Sequence, residues 1–213
     1  MKLTSMLAVC STLALVPAAM AQRWEVGGAV GGGFYTSQDV TGAKGSASAK
    51  IDTNIAGSAW VGNNRPGRWG GELRFDYQKG DFLLNQGPTQ ASFGANSYAL
   101  HYDVLWHFTE SEARVRPFVG AGAGIKVYRG TGAEQVFQPL SNFALLTKDQ
   151  DLTPVVSIAA GIKFALSTHL QFRVEVHDYL TPFPKQVITP ALGAKVGGWL
   201  QDIVPAAGLA YTF

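Results

Sequence analysis

Between Trp69 and Gln78 two kinds of side chain alternate without a break. Trp69, Gly71, Leu73, Phe75 and Tyr77 fall on one face of an extended strand, and Gly70, Glu72, Arg74, Asp76 and Gln78 fall on the other. Three consecutive charges on one face cannot be turned toward hydrocarbon, where a basic residue costs about 2–4 kcal/mol at mid-membrane. The opposite face is bulky and apolar. The soluble alternatives, a lipocalin-like barrel or a β-sandwich, put apolar side chains inside and polar ones outside. Charges of both signs on one face can instead pair around a narrow lumen, which is how buried charge is tolerated.

The pattern recurs along the chain. Ser97–Phe108 sets Tyr98, Leu100, Tyr102, Val104, Trp106 and Phe108 against Ser97, Ala99, His101, Asp103, Leu105 and His107. Arg116–Tyr128, Pro154–Phe164 and Leu170–Tyr179 turn Val, Ile, Ala, Leu and Phe outward and Lys126, Lys163, Arg173, Glu175 and His177 inward. Arg23–Tyr35 and Ala49–Val61 are two further strands; Trp60 falls on the polar face of the second, which suggests a bulge or an interfacial position at that end. With Asp202–Phe213 the strands number eight, an even count suited to a single-chain barrel. The connections alternate in length. Gly62–Arg68, Thr109–Val115 and Ala165–His169 are short, whereas Thr36–Ser48, Lys79–Asn96, Arg129–Thr153 and Leu180–Gln201 are long. Short periplasmic turns and long extracellular loops characterise outer-membrane barrels. The aromatic residues fit two interfacial belts, with Tyr35, Tyr77, Tyr98, Tyr128 and Tyr179 near the long-loop ends.

The amino terminus supports export. Lys2, the apolar stretch Leu7–Ala19 and Ala19-Met20-Ala21 make a secretory signal peptide over residues 1–21, with the barrel domain over 22–213. The lone cysteine, Cys10, leaves with the signal, so no disulfide is expected. A net charge of +2 over the full chain gives no reason to expect a nucleic-acid partner. After the signal no apolar run reaches the length of about 20 residues that a helical span needs, so a membrane location demands a closed barrel.

The chain ends in DIVPAAGLAYTF, with Leu209, Tyr211 and Phe213 in one row. This ending resembles the closing strand of bacterial outer-membrane barrels, and the resemblance implies that these three residues form the signal read by the barrel-assembly machinery. Arg116-Pro117-Phe118-Val119-Gly120-Ala121-Gly122-Ala123-Gly124 is similar to the Gly-rich strand that many such proteins carry. The whole chain resembles the eight-stranded family that includes the OmpA transmembrane domain and the opacity-type proteins. The expected fold is therefore all-β: an eight-stranded antiparallel up-and-down transmembrane β-barrel in the outer membrane. The chain differs from full-length OmpA in carrying no peptidoglycan-binding domain after Phe213, so a cell-wall tether is not expected.

The candidate site is the inward ionisable set Glu72, Arg74, Asp76, His101, Asp103, Lys126, Lys163, Arg173 and Glu175, expected to be an ion-pair network plugging the lumen. Gly122 and Gly124 are expected beside Asp103 and His101, where they make room. No cofactor, metal or catalytic set is expected: His101 and His107 share a face but lie about 20 Å apart along a strand. His177 and Asp178 are the one pair available for catalysis, and adjacency places them on opposite faces. Phe137–Lys148 and Phe183–Leu200 are apolar for loops and are expected to fold over the mouth, touch the outer leaflet or bind a partner. The expected function is a structural or surface-interaction role carried by the extracellular loops, with outer-membrane lipid, the assembly machinery and an extracellular ligand as partners and the monomer as the working form. A narrow pore and a lipid-modifying enzyme are the alternatives.

Overall fold

The computed structural model of the protein describes residues 24–43, 45–64, 67–133 and 137–213. The signal peptide and Arg23 lie outside them. Among the described residues twelve strands follow one another: β1 (Trp24–Gly31), β2 (Phe34–Tyr35), β3 (Gln38–Gly42), β4 (Gly45–Asn64), β5 (Trp69–Gln86), β6 (Thr89–His107), β7 (Val115–Gly130), β8 (Ala144–Leu146), β9 (Gln150–Ala165), β10 (Leu170–Pro182), β11 (Ile188–Pro190) and β12 (Trp199–Thr212). Eight of them, β1, β4, β5, β6, β7, β9, β10 and β12, form an antiparallel ring in sequence order. The ring closes because β1 pairs with β12 from Glu25↔Thr212 to Gly31↔Ala206 and with β4 from Trp24↔Asn63 to Gly31↔Ala56. Closure leaves no unpaired strand edge to face lipid. Leu209, Tyr211 and Phe213 point outward at the foot of the closing strand.

Two small breaks shape the wall. The strand expected over Arg23–Tyr35 divides into β1 and β2 at Gly32 and Gly33. Its partner at that level is Pro205, which has no N–H to donate. Pairing of β12 with β1 ends at Ala206 and pairing with β2 resumes at Ile203. On β4 the register shifts between Thr53 and Ile55. That bulge corrects the expectation for Trp60. The irregularity lies near the middle of the strand, and it turns Ala56, Trp60 and Asn64 inward, so Trp60 is fully buried in the lumen and does not sit at an interface.

The second correction concerns the long connections. Lys79–Asn96 is a continuation of β5 and β6, turned at Gly87 and Pro88, and Thr36–Ser48 contains β3 and the start of β4. Alternation continues through these segments while its polarity inverts. On β5 the inward series runs Glu72, Arg74, Asp76 and Gln78, then becomes Phe82 and Leu84; the outward series runs Leu73, Phe75 and Tyr77, then becomes Lys79, Asp81, Leu83 and Asn85, polar at three of four positions. Below this boundary the outside is lipid, so the charges are inside. Above it the outside is water, so the apolar groups are inside. Phe82, Leu84 and Phe93 pack there against Phe143 and Leu146 of one loop and Phe183, Val187, Ile188 and Leu200 of another. The short ladder between β8 and β11 ties those two loops together.

This apolar cap is a soluble-type core above a membrane-type lumen. Phe82→Ala, at a fully buried position, is expected to lower unfolding free energy by about 3–5 kcal/mol. Urea unfolding of the refolded barrel, followed by limited proteolysis of the extracellular segments, checks it.

Candidate functional site

The lumen is a column of paired charges arranged in layers. At the periplasmic end Glu25 accepts hydrogen bonds from Trp60 Nε1 (3.1 Å), Asn64 Nδ2 (2.5 Å) and Lys163 Nζ (2.8 Å). Above it Arg173 donates to both oxygens of Glu72, at 2.6 and 3.0 Å, and pairs with Glu175. Arg74 donates to Glu175 at 2.5 Å, to Asp76 at 3.0 Å and to Ser58 Oγ at 2.8 Å. The Trp60 ring lies 5.1 Å from the Arg74 guanidinium and 4.8 Å from that of Arg173, and the Phe118 ring lies 4.5 Å from the latter. Both guanidiniums are thus bounded by carboxylates and by aromatic faces.

The next layer is centred on His101, whose ring nitrogens lie 2.8 Å from Asp76 and 2.9 Å from Asp103. Asp103 and His101 stand opposite Gly122 and Gly124 in the β6–β7 ladder. A Cβ on either glycine would collide with the Asp103 carboxylate or the His101 backbone, so the glycines make room for this layer. Highest in the column, Asp202 accepts from Lys126 at 2.6 Å and from Gln78 at 2.7 Å. The Lys126 ammonium lies 4.9, 5.3 and 5.2 Å from the rings of Tyr35, Tyr128 and Tyr179. These three tyrosines were expected in an outer aromatic belt and are in fact buried in the lumen. Their parity is inward, and two of them find polar partners there: Tyr35 donates to Gln78 at 2.6 Å, and Tyr128 shares a 2.8 Å hydrogen bond with Thr181.

All nine residues of the candidate set line this column, buried and paired. His177, read as inward but left out of that set, joins it, and two further members were missed: Glu25 and Asp202. The signal for both was present, since each sits at inward parity of a strand, but their partners lie far away in sequence. Glu25 and Lys163 are 138 positions apart and Gln78 and Asp202 are 124. Only barrel closure brings them together.

Two chemical constellations occur within the column. Glu72, Asp103 and His177 offer ligand atoms that all lie within 4.8 Å of one another. Both Glu72 oxygens already accept from Arg173, so a cation would have to displace a guanidinium. Ser157 Oγ lies 3.5 Å from His177 Nδ1, and His177 Nε2 lies 3.3 Å from Glu175. These residues are buried between the apolar cap and the Glu25 layer. Asp178 accepts from Gln201 at 2.7 Å on the opposite face of β10 from His177, so the adjacent pair does not form a dyad. The cavities beside Arg74 and beside Tyr35 measure about 10 Å³ each, near the minimum for one water.

The sequence matches the model of the outer membrane protein beta-barrel domain over residues 6–187. The chain belongs to that family. Among solved structures, Neisserial surface protein A (NspA) matches at 11% identity, with 89% of this chain and 97% of that chain covered and a TM-score of 0.56. The outer membrane protein OprG from Pseudomonas aeruginosa matches at 13% identity, with 91% and 97% covered and a TM-score of 0.58. At these identities the likeness is one of fold. No curated protein matches the chain at a significant level. As in the family, the protein is an outer-membrane β-barrel, and its fold is the antiparallel eight-stranded one that the alternation implied.

Breaking a buried ion pair from one side leaves an uncompensated charge, which typically costs 3–5 kcal/mol. Arg173→Met, which takes from Glu72 the partner of both its oxygens while Glu175 keeps Arg74, is therefore expected to cost roughly that amount. Adding Glu72→Gln is expected to recover a substantial part of it. A double-mutant cycle from denaturant unfolding in micelles reads the coupling, and additive losses would contradict a paired network.

Proposed function

We propose that this outer-membrane barrel works through its extracellular surface, as a structural or surface-interaction protein, and carries neither a solute path nor an enzymatic site. One observation supports this reading above the others: the lumen is filled at two levels, by the charged column and by the apolar cap above it. An eight-stranded barrel is narrow enough for side chains to fill. The Ser157, His177 and Glu175 array is enclosed in that filling, out of reach of a substrate, which argues against catalysis there. The cap instead holds the outer loops in place as a rigid platform. Phe137 and Leu192 stand out from that platform with 76% and 107% of their surfaces exposed, and they are the apolar anchors a binding partner would cover.

In this reading the partners are lipid around the apolar belt, the assembly machinery at Leu209, Tyr211 and Phe213, and an extracellular ligand at the loops. The monomer is the working form, because the ring is complete within one chain. A narrow ion conduit is the second reading, favoured by the run of titratable groups from Glu25 to Asp202.

Refolding the mature chain from Gln22, comparing boiled and unboiled gel mobility, and recording single-channel currents from the same sample separates the two. A heat-modifiable band with silent bilayers is expected. Discrete conductance steps that change on Arg74→Met would overturn the surface reading in favour of a conduit.

A further inference from the structure

We propose that the periplasmic mouth of the barrel is a binding vestibule for a phosphoryl group. The observation is an imbalance of charge around an open cavity. A vestibule of about 580 Å³ opens between the 109–114 and 166–169 turns, and Arg114, Arg116, Lys163, Asn64 and Gln171 are among its walls. Its volume falls in the range of small-molecule sites.

Arg116 and Lys163 are direct cross-strand partners in the β7–β9 ladder, and both are buried. Like charges set opposite each other destabilise a sheet unless something lies between them. Lys163 has its carboxylate, Glu25 at 2.8 Å, and that same carboxylate is shared with Arg173 at 3.7 Å. Nothing equivalent serves Arg116. Among the described residues Arg116 makes no ion pair, and Glu25, Glu110 and Glu112 act on its guanidinium only from longer range. Among the described residues its one hydrogen bond is a 3.4 Å contact from Nη2 to the Gly67 carbonyl, and its buried Nε finds no partner there. A buried guanidinium left with open donors is costly. Arg114 adds a second cation at the exposed rim, without an ion pair among the described residues. The one carboxylate on the vestibule wall, Glu112, accepts from its neighbour Ser111 at 3.2 Å.

Two guanidiniums without a carboxylate of their own at one cavity suit an anionic phosphoryl group, whose tetrahedral oxygens meet the planar donor fork of arginine. The position gives that anion two sources. One is the headgroup of a lipid in the periplasmic leaflet; the other is a free phosphoester in the periplasm.

The mature barrel in zwitterionic micelles is titrated with glycerol 3-phosphate and followed by phosphorus NMR. The same barrel is then placed in nanodiscs of phosphatidylcholine with and without phosphatidylglycerol. Binding in micelles identifies a free phosphoester. Immobilised phosphorus signal confined to the phosphatidylglycerol nanodiscs identifies the lipid. In either arm Arg116→Gln is expected to weaken binding about tenfold or more, since a charge-assisted fork is lost. Arg116→Lys should give an intermediate value. Gel mobility confirms that each variant folds, and Arg114→Gln at the exposed rim carries the test if Arg116→Gln does not. Neither probe binding more tightly to the native barrel than to the Arg114→Gln/Arg116→Gln form would overturn the proposal.

Discussion

Hydrocarbon wets the outside of the ring, and this constraint sets the inside. A charged side chain on the lipid face near mid-membrane costs a few kcal/mol, so the ionisable groups of the membrane-spanning strands turn inward. Inside there is little room for water, so each must find a partner of opposite sign. Arg173 and Arg74 are the hubs of that arrangement: one takes Glu72 and Glu175, and the other takes Glu175 and Asp76. A buried ion pair is weak evidence of net stability, because desolvation offsets much of the attraction. Its effect here is to fix which strands meet. Glu175 on β10 and Arg74 on β5 come from opposite walls, so their contact holds only when the barrel has closed in this register.

The same reasoning explains why the chain changes character partway up its strands. On β5, between Gln78 and Lys79, the solvent outside passes from lipid to water and both faces exchange polarity. The upper barrel then becomes an ordinary hydrophobic core, filled by Phe82, Leu84 and Phe93 and by side chains of two loops. The interior is closed by charge below and by apolar packing above. In the proposed reading the outer loops are the surface through which the protein acts, and the periplasmic mouth is where a buried guanidinium lacks an ion pair.

Much of this was legible in the sequence, and the rest was hidden for identifiable reasons. Alternation at Trp69–Gln78 and in the strands after it placed the eight staves and the nine inward charges. The pairing of Gly122 and Gly124 with Asp103 and His101 followed from one short turn. The burial of Trp60 was hidden because a tryptophan on the polar face of a strand suits an interface as well as a charged lumen, and the bulge itself lies at Thr53 and Ile55, away from it. The extracellular hairpin of β5 and β6 was hidden because its alternation persists while its polarity inverts, so Phe82 and Leu84 resemble loop residues when the outside is assumed to be lipid. Tyr35, Tyr128 and Tyr179 were hidden because a tyrosine at a strand end suits either an interface belt or a hydrogen-bonded lumen. The partners of Glu25 and Asp202 depend on closure, which no local window contains.

A nitroxide scan along β5 tests the inversion of polarity directly. Single labels from Leu73 to Asn85 are read in bilayers for access to oxygen and to a water-soluble nickel chelate. Labels at Leu73, Phe75 and Tyr77 should report oxygen and lipid. Labels at Lys79, Asp81 and Asn85 should report the aqueous chelate, and those at Phe82 and Leu84 should be shielded from both. A lipid signature continuing to Asn85, or free access of the chelate to Phe82 and Leu84, would contradict a charged membrane lumen closed by an apolar cap.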